Sequence, residues 1–283
     1  MRVKNSKHLL RLKNALQIYT DHDMNVYSGY ATYYILLSMV PLLMLIITVI
    51  NWVTPFSAED LNGFLSRILP GLPQVQTMLT EVIRNLSSQS SGLVAWISAL
   101  TALWSASNGL SAIKIGLEQI NENKQNYIQG KPVALLFTVV YVILFPAIMV
   151  FQLLRQPLIN VVTRILNYLN LHGNITFFEA FMQYSSIITI VILIIVIVLT
   201  YTYLPHGKRT LKPQIPGAVL TFIVSIIFTY LFSFFMGSFW KASAIYGSLA
   251  AIFLTAMWLK FILMILFFGA AMNKAIEIEK EDL

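Results

Sequence analysis

Charged residues vanish from this chain for long stretches and return in short bursts, and that alternation predicts its elements. Six apolar runs, at about 31–53, 92–113, 132–154, 184–204, 214–236 and 244–268, are each long enough to cross roughly 30 Å of hydrocarbon as a helix. Five contain no Asp, Glu, Lys or Arg, and the sixth is interrupted only by Lys260. Two intervening segments have a different rhythm. Val75, Met78, Leu79, Val82, Ile83 and Leu86 recur at steps of three and four, as do Leu158, Val161, Val162, Ile165, Leu166 and Leu169. That spacing predicts amphipathic helices lying along a membrane interface or capping a vestibule between spans. The expectation is an all-α integral membrane protein of about six transmembrane helices with amphipathic external helices. It divides into a basic N-terminal segment at 1–30, a six-helix transmembrane domain at 31–268 and a C-terminal tail at 269–283.

Composition supports a bilayer as the solvent. Apolar residues make up 57% of the chain and charged residues 11%, more apolar surface than one soluble core of 283 residues can hide. The formal charge of +7 could point to nucleic acid, but basic loops that fix membrane orientation produce the same excess. Distribution decides between them. With alternating sides, thirteen Lys and Arg fall in the two termini and in 114–131 and 205–213, against five in the other connections, while Lys260 completes the nineteen. This bias places both termini in the cytoplasm, with no nucleic-acid partner expected. No apolar run follows the basic N-terminus until about Ala31, too late and too long for a cleaved signal peptide, so the first span is expected to stay. With no cysteine, disulfide frameworks, thiolate nucleophiles and thiolate metal sites are excluded.

Inside the spans, polar residues fall on particular faces. Tyr27, Tyr30, Tyr34, Ser38 and Pro41 share one face of the first, and Ser98, Thr101, Ser105 and Asn108 one face of the second. Such stripes are expected to face away from lipid, either as glue between helices or as lining for a substrate path; the pattern leaves both open. Pro41 and Pro146 interrupt their spans as a hinge or a kink. Tyr246, Gly247 and Ser248 open the sixth span, and Gly247, Ala251 and Thr255 form a small-residue stripe suited to close helix approach. Lys260 is the exception, because a lysine near mid-bilayer costs about 2.5–3.5 kcal/mol and needs a polar cavity, a partner or a path for snorkelling. All twelve acidic residues lie outside the six runs, so no carboxylate is expected at its depth and a charged ligand there should be an anion.

Enzyme signatures are missing from the sequence. The four histidines lack metal-ligand spacing, and there is no phosphate-binding glycine loop and no Gly-x-Ser-x-Gly elbow. The densest titratable group, Asp21, His22 and Asp23, reads as a solvated turn or helix cap before the first span. No cofactor and no catalytic residue are expected.

Several strings resemble the YihY/BrkB family of bacterial inner-membrane proteins. They are Ala31-Thr32-Tyr33-Tyr34 with Leu37-Ser38 and Pro41, then Lys212-Pro213-Gln214-Ile215-Pro216-Gly217-Ala218, then Tyr246-Gly247-Ser248-Leu249 with Trp258 and Gly269-Ala270. The resemblance runs from about residue 20 to 275 and implies a multi-pass protein of the bacterial cytoplasmic membrane. Family members have been called ribonuclease BN, linked by name to virulence, and proposed to move envelope lipids. It implies no catalytic residue, and Lys260 stands where relatives commonly carry an uncharged side chain. Together the readings predict a transporter or flippase of an anionic amphiphile such as a phospholipid, without its own ATPase. Its path would use Lys260, Tyr34, Ser38, Pro41, Ser105, Asn108, Tyr246, Gly247 and Ser248; a non-transporting scaffold is the alternative, and a membrane ribonuclease a weaker one.

Overall fold

The computed structural model describes residues 2–53, 81, 92–122, 131–144, 147–148, 164, 184–239 and 247–281. Among these every regular element is a helix. They are α1 (Arg2–Asp21), α2 (Met24–Val53), α3 (Gly92–Ile120), α4 (Lys131–Leu144), α5 (Ser185–Tyr203), α6 (Ile215–Phe239), preceded by the 3-10 turn Lys212–Gln214, and α7 (Gly247–Glu281). Each apolar run falls on one of α2 to α7. The expected amphipathic helices at 75–86 and 158–169, and most of 132–154 beyond Leu144, lie outside the described residues.

Two boundaries depart from expectation. The run expected to end at 113 continues as helix to Ile120, carrying Lys114 and Glu118 with it. The run expected to end at 268 continues to Glu281, so α7 has 35 residues and is about 52 Å long at the ordinary helical rise. The tail expected after 268 is therefore helical, as is most of the segment before 31. Packing explains this: Ala15 of α1 is buried against Ala271 and Ala275 of α7, with Ile18, Tyr19, Phe268 and Met272 around them. Small residues bring the two backbones close, and Arg11 closes the far end of the seam with an ion pair to Glu279. Arg11's hydrogen bond to Glu279 raises its pKa further.

At the joint of α1 and α2, Asp23 adopts a left-handed φ of 53° and His22 Nδ1 lies 2.9 Å from the Ile18 carbonyl oxygen. This is the turn expected at Asp21, His22 and Asp23. Beyond it α2 packs along α3, where a Cβ on Gly109 would stand 2.8 Å from Ile35. The tail half of α7 rests on α1, α2 and α6, and α6 on α5.

Among the described residues the core lies toward one end of the bundle. Met24, Leu117, Ile120, Tyr201, Leu204 and Phe267 are buried there. Away from it the helices present apolar side chains outward: Trp96, Leu100 and Trp104 on α3, Ile187, Val191 and Ile195 on α5, and Tyr230, Leu231 and Phe234 on α6. Among the described residues two stretches, Lys212–Phe235 and Ile252–Lys280, are long and apolar enough to cross a membrane, with only 11% and 22% of their most apolar windows buried in the protein. Surface of this extent, Phe234 being 81% exposed, is costly in water and neutral against hydrocarbon.

Candidate functional site

The buried end of the bundle holds a polar cluster built from four helices. Lys114 and Glu118 face each other one turn apart on α3 and form an ion pair with both side chains buried, at 5% and 6% exposure. Glu118 also accepts the backbone N–H of His206 at 3.0 Å. His206 sits in the reversal after α5, where Gly207 takes a φ of 114° that a Cβ would strain. The reversal returns Arg209 to the end of α5, and its Nη1 donates to the Tyr201 carbonyl at 3.4 Å, a cation placed on a helix C-terminus. Burial lowers the Arg209 pKa, and the nearby carboxylates of Glu277 and Glu118 oppose that shift. Its Nη2 is buried without a hydrogen-bond partner.

Beneath these charges the helices are joined by neutral hydrogen bonds. Tyr201, fully buried on α5, donates from Oη to the Leu266 carbonyl of α7 at 2.6 Å and lies 2.7 Å from Thr221 Oγ1 of α6. Tyr141 of α4 bonds Thr200 of α5. Asn273 of α7 caps α6: its Oδ1 accepts the Gly217 N–H at 2.7 Å, and its Nδ2 donates to the backbone and side-chain oxygens of Gln214, both at 3.1 Å. Pro213 and Pro216 carry no N–H, so Gly217 offers one of the few donors at this helix start, and a side chain of another helix satisfies it. Neutral hydrogen bonds tie α5, α6 and α7 together, and the Glu118 carboxylate joins α3 to the reversal after α5. Among the described residues no group of three His, Cys, Asp or Glu is arranged to hold a metal ion.

The family model for the virulence factor BrkB matches residues 15–282. The chain belongs to the BrkB family. The ribonuclease-like protein YfkH of Bacillus subtilis is 27% identical over 95% of this chain and 96% of its own. UPF0761 membrane proteins of Actinobacillus pleuropneumoniae and Psychromonas ingrahamii are each 24% identical, over 96% and 90% of this chain and 95% and 83% of theirs. No solved structure matches. With its apolar outer faces, this BrkB protein is a membrane protein.

The expected path residues divide between settings. Ser38, Ser105 and Asn108 are buried, and Ser38 Oγ donates to the carbonyl of Ile35 at 2.7 Å. Ser28 and Thr32 bond carbonyls of their own helix in the same way. Tyr34 is half-buried, with its ring edge-on to Tyr30 and Tyr33 at 4.9 and 5.2 Å, and Pro41 is half-buried within α2. The stripes are not wholly turned inward, because Tyr30 and Thr101 are exposed; Thr101 satisfies its hydroxyl on the Ile97 carbonyl. Gly247 and Ser248 open α7, but the surroundings of both, like all of Tyr246, lie outside what the structure describes. Thr255, expected on a small-residue seam, is exposed, and the close crossing instead joins Gly217 to Gly269. Lys260 is half-buried on α7, about 20 Å along the helix from Asn273 and without an ion pair among the described residues.

Sequence reasoning missed Lys114, Glu118, Tyr201, Arg209 and Asn273. The opposite charges at i and i+4 directly after an apolar run were a usable signal for the first two. All twelve acids do lie outside the six runs, but Glu118 is buried on the helical continuation of α3 beyond 113. The others are neutral in pattern or sit in a loop, and only the chain reversal after α5 and the α6–α7 crossing bring them in.

Proposed function

We propose that this BrkB protein carries an anionic amphiphile, such as an envelope phospholipid, across the bacterial cytoplasmic membrane without an ATPase of its own. In this reading it has six spans, both termini are cytoplasmic, and it is not an enzyme. The observation that carries it is Lys260, a half-buried cation inside α7 with no ion-paired carboxylate among the described residues. Such a charge attracts an anionic head while the exposed apolar faces leave the tails in hydrocarbon. Lys260→Met retains the apolar stem and removes the charge. In liposomes with labelled phospholipids, transfer of anionic lipid between leaflets should fall by about tenfold or more, the effect of roughly 1.4 kcal/mol, while melting temperature holds. Unchanged transfer sinks the assignment of Lys260.

One observation favours a non-transporting scaffold. The hydroxyls of Ser28, Thr32 and Ser38 are buried and satisfied by their own helix, as packing residues would be. Wild-type liposomes that transfer no lipid, together with co-purification of an envelope protein, would establish that reading. The ribonuclease reading rests on the name of one relative. Metal-dependent RNA cleavage by the purified protein, abolished when Asp21, His22 and Asp23 are replaced, would overturn the non-enzymatic reading.

A further inference from the structure

A groove of about 550 Å³ runs between α1, the start of α6 and the tail of α7. Its walls are Leu9 and Leu12 of α1, Pro216 and Leu220 of α6, and Met272 and Ile276 of α7, with Arg11 the sole charged lining residue among the described residues. The volume lies within the ordinary range of about 300–1,000 Å³ for a small-molecule site. Its two ends differ in chemistry. At one, Glu279 engages Nε and Nη2 of Arg11, which leaves Nη1 for another acceptor, and Lys212 is exposed one turn before Pro216. At the other, Pro216 and Leu220 begin a stripe that continues through Ile223, Ile227, Tyr230 and Phe234 at steps of three and four, all exposed from Ile223 onward. The groove therefore leads from cations at the helix ends directly onto the face that hydrocarbon covers.

We propose that this groove seats one anionic glycerophospholipid, its phosphate beside Arg11 and one acyl chain against Leu12, Leu220 and Met272. Arg11 is shared with Glu279, so it is the surplus of cations in the first helix that selects an anionic head. Residues 2–13 contain Arg2, Lys4, Lys7, Arg11 and Lys13, and no acid occurs before Asp21. Each cation near a membrane surface contributes about 1 kcal/mol toward an anionic lipid. Continuity of the apolar wall with the α6 stripe selects a ligand with a long apolar tail over a free phosphate or a soluble peptide. The site lies several helical turns from Lys260 on α7, so it stands whether or not the carrier reading holds.

Native mass spectrometry of the full-length protein in detergent, titrated with phosphatidylglycerol or with phosphatidylcholine of the same chains, tests it. One phosphatidylglycerol should be retained with at least about fivefold preference, the effect of one cation. Leu220→Trp should fill the groove and lower that retention at least about fivefold, while Lys212→Gln weakens the preference without loss of melting temperature. Should Leu220→Trp fail to fold, the wild type still decides. Phosphatidylglycerol with a photoactivatable chain should label Leu12, Leu220 or Met272, and a tenfold excess of inorganic phosphate should not reduce that labelling. Equal retention of both lipids, labelling confined to Ile223–Phe234, or a dimer that Leu220→Trp dissociates without any lipid preference would each overturn the proposal.

Discussion

Glu118 accepts from both Lys114 and the His206 N–H, so its charge is stabilised by two donors within a buried site. Breaking such a buried pair by removing one partner costs about 3–5 kcal/mol. Glu118→Gln should therefore lower the melting temperature strongly. Lys114→Met with Glu118→Leu should recover to within about 1 kcal/mol of wild type, the shortfall being the lost His206 acceptor. Unfolding of the four proteins in detergent, analysed as a double-mutant cycle, measures the coupling. Tyr19 offers a pH test outside the spans. Its ring meets Phe268 edge-on at 6.5 Å, its Oη is buried without a partner, and burial raises its pKa above the usual 10.0. The folded state thus favours the neutral phenol, so this contribution is whole below pH 10 and is lost as pH rises through the higher folded value. Tyr19→Phe should flatten the fall in melting temperature between pH 9 and 11. It should hold or raise stability at neutral pH by about 1 kcal/mol, because an unpaired hydroxyl is removed. The i and i+4 spacing was a signal for the Lys114–Glu118 pair that the sequence reading did not use; burial of the pair, and of Tyr19, depends on neighbours from distant segments.

Among the elements, α6 and α7 depend most on two residues without side chains. A Cβ on Gly269 would collide with Thr221 Oγ1 and stand 2.7 Å from Tyr201 Oη, while one on Gly217 would meet the Gly269 carbonyl and lie 2.5 Å from Asn273 Nδ2. Thr221 Oγ1, Tyr201 Oη and Asn273 Nδ2 belong to the hydrogen bonds that join α5, α6 and α7. Gly269→Ala and Gly217→Ala should each cost about 1–3 kcal/mol, the ordinary penalty of overpacking. Gly29 is the control on α2, since nothing lies within 4 Å of a Cβ there; Gly29→Ala should be neutral or stabilise by up to about 1 kcal/mol. Thermal unfolding that ranks the three variants alike would refute this account of the crossing. Helix positions were legible because freedom from charge is a property of the run itself. Helix ends were not: α3 and α7 pass into charged sequence because Glu118 finds Lys114 and because α1 covers Ala271 and Ala275.

At the scale of the molecule, orientation is the prediction most directly open to test. The bias of thirteen basic residues against five expects 54–91 outside and 114–131 inside. The chain has no native cysteine, so a single cysteine at Ser57 should react with an impermeant maleimide added to intact cells, and one at Asn126 only after lysis. The opposite pattern would reverse the topology. The sequence by itself determined that this is a helical membrane protein, where its apolar helices lie and which family it belongs to. Those properties follow from local hydropathy and from residue strings that need no partner to be read. The tertiary structure alone decided which polar residues are buried together. It set Tyr201, Arg209 and Asn273 in one cluster, closed α6 on α7 through two glycines, and aligned α1 with the tail of α7 to form an apolar groove ending at a cation. None of these has a period along the chain, because each depends on the distance between segments up to 268 residues apart, and only packing fixes that distance.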